Sequence, residues 1–220
     1  MNKGMKPAMN TDDLIRGLTA DLRVSRSSLE RVFCYALLPG LFVALVLFAA
    51  ILGPRPDFMA MTGDARFVFK FVVTLALGAC AALLVWRLVR PGAPTHMRAA
   101  ALGLVVLVLI AGVAVELATV PRSLWGAKLV GQNSVVCLLS IPLFALPILI
   151  SAMVVLRRGA PVRPVLAGSV AGLFAGAIGA AIYAAHCPDD SPLFVACWYG
   201  LAIAGVAAVG GIAGRWSLRW

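Results

Sequence analysis

Residues 101–115 read Ala-Leu-Gly-Leu-Val-Val-Leu-Val-Leu-Ile-Ala-Gly-Val-Ala-Val, and residues 194–214 read Phe-Val-Ala-Cys-Trp-Tyr-Gly-Leu-Ala-Ile-Ala-Gly-Val-Ala-Ala-Val-Gly-Gly-Ile-Ala-Gly. Both runs are apolar on every face, so neither can lie on the surface of a water-soluble domain. A transmembrane strand would show roughly 10-residue stretches of alternating polarity, which these runs lack. Inside a bilayer the backbone must satisfy its own polar groups. Helices are therefore expected.

The whole chain fits this reading. Of its 220 residues 62% are hydrophobic and 13% charged, against about 25% charged in a soluble domain. Six apolar stretches approach the ~20 residues needed to cross a bilayer: Phe33–Leu52, Phe67–Trp86, Ala99–Ala118, Ser134–Leu156, Val165–Ala185 and Leu193–Gly214. The expected fold is all-α and polytopic, with six transmembrane helices. Residues 1–32 form an amino-terminal tail, 33–214 the membrane domain and 215–220 a short carboxy-terminal tail. The first thirty residues are polar and charged, so the first helix is expected to act as an uncleaved anchor.

Orientation follows from the basic residues, which concentrate on the cytoplasmic side. Of the 19 Lys and Arg, fourteen fall on one side: Lys3, Lys6, Arg16, Arg23, Arg26, Arg31, Arg87, Arg90, Arg98, Arg157, Arg158, Arg163, Arg215 and Arg219. The other side holds Arg55, Arg66, Lys70, Arg122 and Lys128, balanced by Asp57, Asp64, Glu116, Asp189 and Asp190. Both termini are expected in the cytoplasm. The formal charge of +10 thus reads as topology. It is not gathered into a nucleic-acid stripe interleaved with aromatics, and no direct nucleic-acid partner is expected.

Small residues recur every four positions at Gly168, Gly172 and Gly176, and again at Gly210 and Gly214. That spacing lets two membrane helices approach closely. Pro142 and Pro147 are expected to bend the fourth span.

In the tail, Thr11 suits an N-cap, and Asp12 and Asp13 suit the positive end of a helix. Leu14, Ile15, Leu18 and Leu22 then share one face. So short a helix is marginal alone. Its apolar stripe calls for the headgroup region, the protein's own loops or another protein.

Chemistry is sparse. The chain has no Ser-His-Asp arrangement, no phosphate loop, no C-x-x-C pair, and two histidines, His96 and His186, on opposite sides. No enzyme is expected and no cofactor is required. Ionisable residues at mid-membrane depth, which a transporter needs, are also missing. Of five cysteines, Cys34, Cys80 and Cys197 read as packing residues. Cys137 and Cys187 share the outer side, where a disulfide persists if the compartment is oxidising. The turn His186-Cys187-Pro188-Asp189-Asp190-Ser191-Pro192 places imidazole, thiol and carboxylates together. His186, Cys137 and Cys187 are the candidate metal ligands, with Cu(I) or Zn(II) suited to such donors, and a Cys137–Cys187 disulfide is the other option.

With Thr-Asp-Asp-Leu-Ile-Arg-Gly-Leu at 11–18, Cys137 leading into Leu-Leu-Ser-Ile-Pro, and His-Cys-Pro-Asp-Asp-Ser-Pro-Leu-Phe before Cys-Trp-Tyr-Gly, the chain resembles the NrsF family. These are multi-pass anti-sigma factors of the proteobacterial inner membrane. The resemblance spans nearly the whole chain. It implies that the cytoplasmic side holds an extracytoplasmic-function sigma factor of the F type; the surface expected to do so is Asp12, Asp13, Leu14, Ile15, Leu18 and Leu22 with the basic loops around Arg90 and Arg157. It also implies that Cys137 and Cys187 sense oxidant or heavy-metal stress, with a disulfide or a metal ion as the signal. A small-molecule transporter, a membrane thiol oxidoreductase using the same cysteines, and a structural assembly subunit are the competing readings.

Overall fold

The structure, a computed structural model, describes residues 10–12, 15–16, 26–88, 96–159 and 161–218. Two units are distinguished, residues 1–35 and residues 36–220.

In the first unit Thr11, Asp12, Ile15 and Arg16 are helical and exposed. Asp13, Leu14, Leu18 and Leu22 lie outside the described residues.

The main elements are α1 (Arg26–Ile51), α2 (Phe58–Met61), α3 (Ala65–Leu88), α4 (His96–Thr119), α5 (Trp125–Val130), α6 (Ser134–Gly159), α7 (Pro164–Ala184) and α8 (Pro192–Ser217). Among the described residues there is no strand. Five helices are long and apolar enough to cross a membrane: α3, α4, α6, α7 and α8. The sixth expected span coincides with α1, whose apolar stretch in the described residues, Tyr35–Ile51, is shorter than the other five. Pro142 and Pro147 both lie inside α6, which continues through them.

Helix α7 is the axis of the second unit. Of its apolar window 67% is buried within the molecule, against 11% for α4, and it packs on α8, α6 and α3. Composition explains this centrality, because α7 is built largely of Ala and Gly and lets neighbours come close on every side. A Cβ added at Gly168 would meet the carbonyl of Gly210, and one at Gly172 would meet the carbonyl of Val206. The four-residue glycine spacing thus does what the sequence implied: two backbones touch where side chains would otherwise intervene. On another face, a Cβ at Gly179 would stand 2.8 Å from the Ile141 carbonyl of α6.

Contacts sort the helix ends into two groups. The end of α1, the starts of α3, α6 and α8, and the ends of α4 and α7 meet through Arg55, Lys70, Glu116 and the 186–192 turn. At the opposite end Arg157 of α6 donates to the Ser217 carbonyl of α8 at 3.1 Å. Helices α3, α4, α6, α7 and α8 therefore alternate in direction.

Candidate functional site

Between α7 and α8 the chain turns through residues 185–191, and the side chains of His186, Asp189, Asp190 and Ser191 are all engaged. The α7 helix ends at Ala184 and α8 restarts at Pro192, whose fixed φ suits the first helical position. The α8 start carries no side-chain cap of its own, and the surrounding chain supplies acceptors at the starts of both α6 and α8.

Asp189 serves α6. Its carboxylate accepts from the backbone N–H groups of Gln132 (3.1 Å) and Asn133 (3.0 Å), just ahead of the helix start. A negative group there satisfies free donors and suits the positive end of the helix dipole. Gly131 makes the approach feasible. Its φ of 61° is a left-handed value, and a Cβ would stand 2.6 Å from the Phe194 ring and 2.8 Å from Asp189 Cγ. Gly131→Ala is expected to cost about 2–3 kcal/mol from backbone strain alone, read by thermal unfolding. A loss near zero would mean that the 131–133 backbone does not hold Asp189.

Glu116 of α4 serves α8. Its Oε2 accepts from the Ser191 hydroxyl (2.6 Å) and the Leu193 N–H (3.1 Å). Its Oε1 is buried without a hydrogen bond, 4.0 Å from an Arg66 guanidinium nitrogen.

Asp190 is held by two cations. Lys70 of α3 donates to Oδ1, and Arg55 donates to Oδ2 at 3.0 Å. Both also reach the carbonyl of Cys187, Lys70 at 2.7 Å and Arg55 at 3.5 Å. Lys70 is wholly buried, its ammonium 4.8 Å from the centre of the Phe67 ring. Arg55 also forms a two-point pair with Asp57, at 2.6 and 2.7 Å. Asp57 and then Asp190 raise the Arg55 guanidinium above its ordinary value, and Arg55 in turn holds the Asp57 carboxyl below its usual range.

Beneath the turn lie the two cysteines. Cys137, in the first turn of α6, and Cys187 are both wholly buried and both free, within one cluster that includes Tyr183, Phe194 and Tyr199. The Tyr183 and Tyr199 rings are 5.8 Å apart. The Tyr199 hydroxyl is buried with no hydrogen-bond partner among the described residues. A π-helical segment, Val195–Tyr199, follows the first residues of α8 and includes Tyr199 of this cluster, a distortion common where a helix serves a site.

His186 takes a different direction. Its Nδ1 lies 3.0 Å from the Gly53 carbonyl, and among the described residues no three His, Cys, Asp or Glu side chains gather as a metal set. The structure thus brings Cys137 and Cys187 together and turns the His186 ring toward the loop after α1. Cys80 and Cys197 are half-buried outside this cluster.

Burial pushes the Cys187 thiol up, opposed by its hydrogen bond to the Asp189 backbone and by the Lys70 ammonium. A thiol raised in this way stays protonated and alkylates slowly at neutral pH. Its contribution to stability is complete below the ordinary thiol value of about 8.5 and is lost as pH rises through the raised native value. Alkylation of Cys187 is thus expected to begin at higher pH in the native protein than in the denatured chain. Site-resolved mass spectrometry across the alkaline range checks this, and coincident profiles would reject it.

Sequence reasoning found the cysteines and the turn and placed Lys70, Arg55 and Glu116 on the same side without a role in the site, and it passed over Tyr183 and Tyr199. The available signal was Lys70 itself, a cation set between Phe69 and Phe71 at the head of an apolar run.

Comparison with known proteins supplies the identity. The family model described as negative regulator of sigma F matches residues 18–220. The anti-sigma-F factor NrsF of Caulobacter vibrioides is 37% identical over 216 residues, covering 96% of this chain and 100% of that relative. The probable anti-sigma-F factor NrsF of Azospira oryzae is 36% identical over 215 residues, with the same coverage. No solved structure matches the chain. The family consists of regulators, not enzymes. With the match running from the tail through α8, the chain belongs to the family of negative regulators of sigma F.

Proposed function

We propose that this protein is a six-span anti-sigma factor of the bacterial inner membrane. Both termini face the cytoplasm, where it sequesters an extracytoplasmic-function sigma factor of the F type. It releases that factor when Cys137 and Cys187 meet an oxidant or a heavy metal. The observation that carries the reading is the alignment of relatives named anti-sigma-F factors along 96% of the chain. The alternation of helix ends and the excess of Lys and Arg at one end support the orientation.

Two free thiols in one buried cluster support the sensing step. An oxidant that removes two electrons and two protons would join the sulfurs at about 2.05 Å, and a soft metal ion would displace the protons and bridge the thiolates. Either event alters the junction of α6, the turn and α8. A signal shifts a two-state balance only by its differential interaction with the two states, and its coupling to sigma-factor affinity is reciprocal. Asp12–Leu22 and the loops around Arg90 and Arg157 form the sigma-facing surface.

The test is a pull-down of a sigma factor on the solubilised protein, comparing wild type with Cys137→Ser/Cys187→Ser, with and without peroxide or Cd(II). Wild type is expected to lose most of its bound sigma factor under stress while the double variant retains it. Equal retention by both would remove the sensing step, and no binding under any condition would remove the sigma-factor reading.

A further inference from the structure

We infer that Lys70, with Arg55 beside it, is a latch that holds the Cys187–Asp190 turn shut over the cysteine pair, making Lys70 the positioning residue for the Cys187 thiol. The inference deepens the sensing reading and rests on it for its biological meaning.

The geometry is that of a clamp across a turn. Lys70 grips both ends of the segment 187–190, through the Cys187 carbonyl and the Asp190 carboxylate. Arg55 reaches the same two groups, at 3.5 and 3.0 Å. The two cations reach the turn from different elements, α3 and the loop after α1. A backbone movement that lifts Cys187 out of its cluster also drags its own carbonyl away from Lys70.

Charge makes this arrangement switch-like. A wholly buried ammonium needs its oxygens, because an uncompensated charge in a dry site is strongly unfavourable. Here both oxygens come from the turn, and the third direction faces the Phe67 ring. An open turn would leave Lys70 stranded, so the closed state is held cooperatively. When the cysteines are joined or metallated, the shift of Cys187 would strain this clamp and transmit the change to α3.

The experiment is site-resolved alkylation of the full-length protein in detergent micelles by N-ethylmaleimide, followed by mass spectrometry, with no sigma factor present. In Lys70→Met, Cys187 is expected to label at least about tenfold faster than in wild type, while Cys80 and Cys197 keep their wild-type rates. Asp190→Asn, which keeps the shape and removes the charge, is expected to act in the same direction. It carries the comparison if Lys70→Met does not accumulate. The double variant is expected to label at least as fast as the faster single one, because Lys70 also holds the Cys187 carbonyl and Asp190 also holds Arg55. An unchanged Cys187 rate would overturn the latch, and so would a parallel rise at all three cysteines, which marks general loosening. Because labelling needs no sigma factor, failure of the latch and failure of the sensing reading remain separate outcomes.

Discussion

Replacing Asp190 by alanine is expected to lower the stability of the protein by roughly 3–5 kcal/mol, the range for breaking one side of a buried ion pair. Lys70 is wholly buried and Asp190 is 12% exposed, so water can do little to screen the loss. The Cys187 carbonyl would remain as Lys70's oxygen partner, which places the expectation toward the lower end. Arg55 would keep Asp57 and suffer less. Equilibrium unfolding in mixed micelles measures the difference, and a loss below about 1 kcal/mol, the scale of an exposed pair, would contradict it. The companion variant Lys70→Met/Asp190→Leu is expected to recover part of the stability, since apolar groups of similar size often replace a buried pair without penalty. Stability recovered without slow Cys187 labelling would separate what the pair does for the fold from what it does for the turn.

Gly172→Leu carries the other large effect. The first carbon of the new side chain would run into the Val206 carbonyl and stand 2.7 Å from the Ala207 Cα. Neither is the end of a flexible side chain, so relief requires that α7 and α8 separate. Overpacking a well-fitted core costs about 1–3 kcal/mol where side chains can adjust, and this contact is expected to exceed that range. The same helix pair supplies its control. Gly205, on the exposed side of α8, has nothing within 4 Å of an added Cβ. Gly205→Ala is expected to leave stability unchanged or raise it by up to about 1 kcal/mol through helix propensity. Similar losses from both substitutions would show that glycine content, rather than the α7–α8 contact, accounts for the effect.

The glycine contact also shows how far sequence reading reaches. Spacing identified Gly168, Gly172, Gly210 and Gly214 as close-approach positions, because a four-residue repeat lies on one helix face whatever the partner. It could not say that Gly179 would face α6 instead. The cysteines divide in the same way. Residue type and side of the membrane singled out Cys137 and Cys187, and the structure places both in one buried cluster. The turn's carboxylates looked like ordinary turn residues, yet Asp189 caps α6 while Asp190 neutralises Lys70 and Arg55.

The sequence by itself determined the helical membrane class, the approximate position of every long helix and the family. Apolar runs of bilayer length are a local property, and with no water in the hydrocarbon the chain has few alternatives to a helix. Only the tertiary structure decided which charge meets which. Lys70 and the Cys187 carbonyl are 117 residues apart in sequence, Arg55 and Asp190 are 135 apart, and Glu116 and Leu193 are 77 apart. No local pattern records such pairings. They follow from how tightly α3, α6 and α8 pack around a central helix of alanine and glycine, and thus from which buried charge has an oxygen within reach.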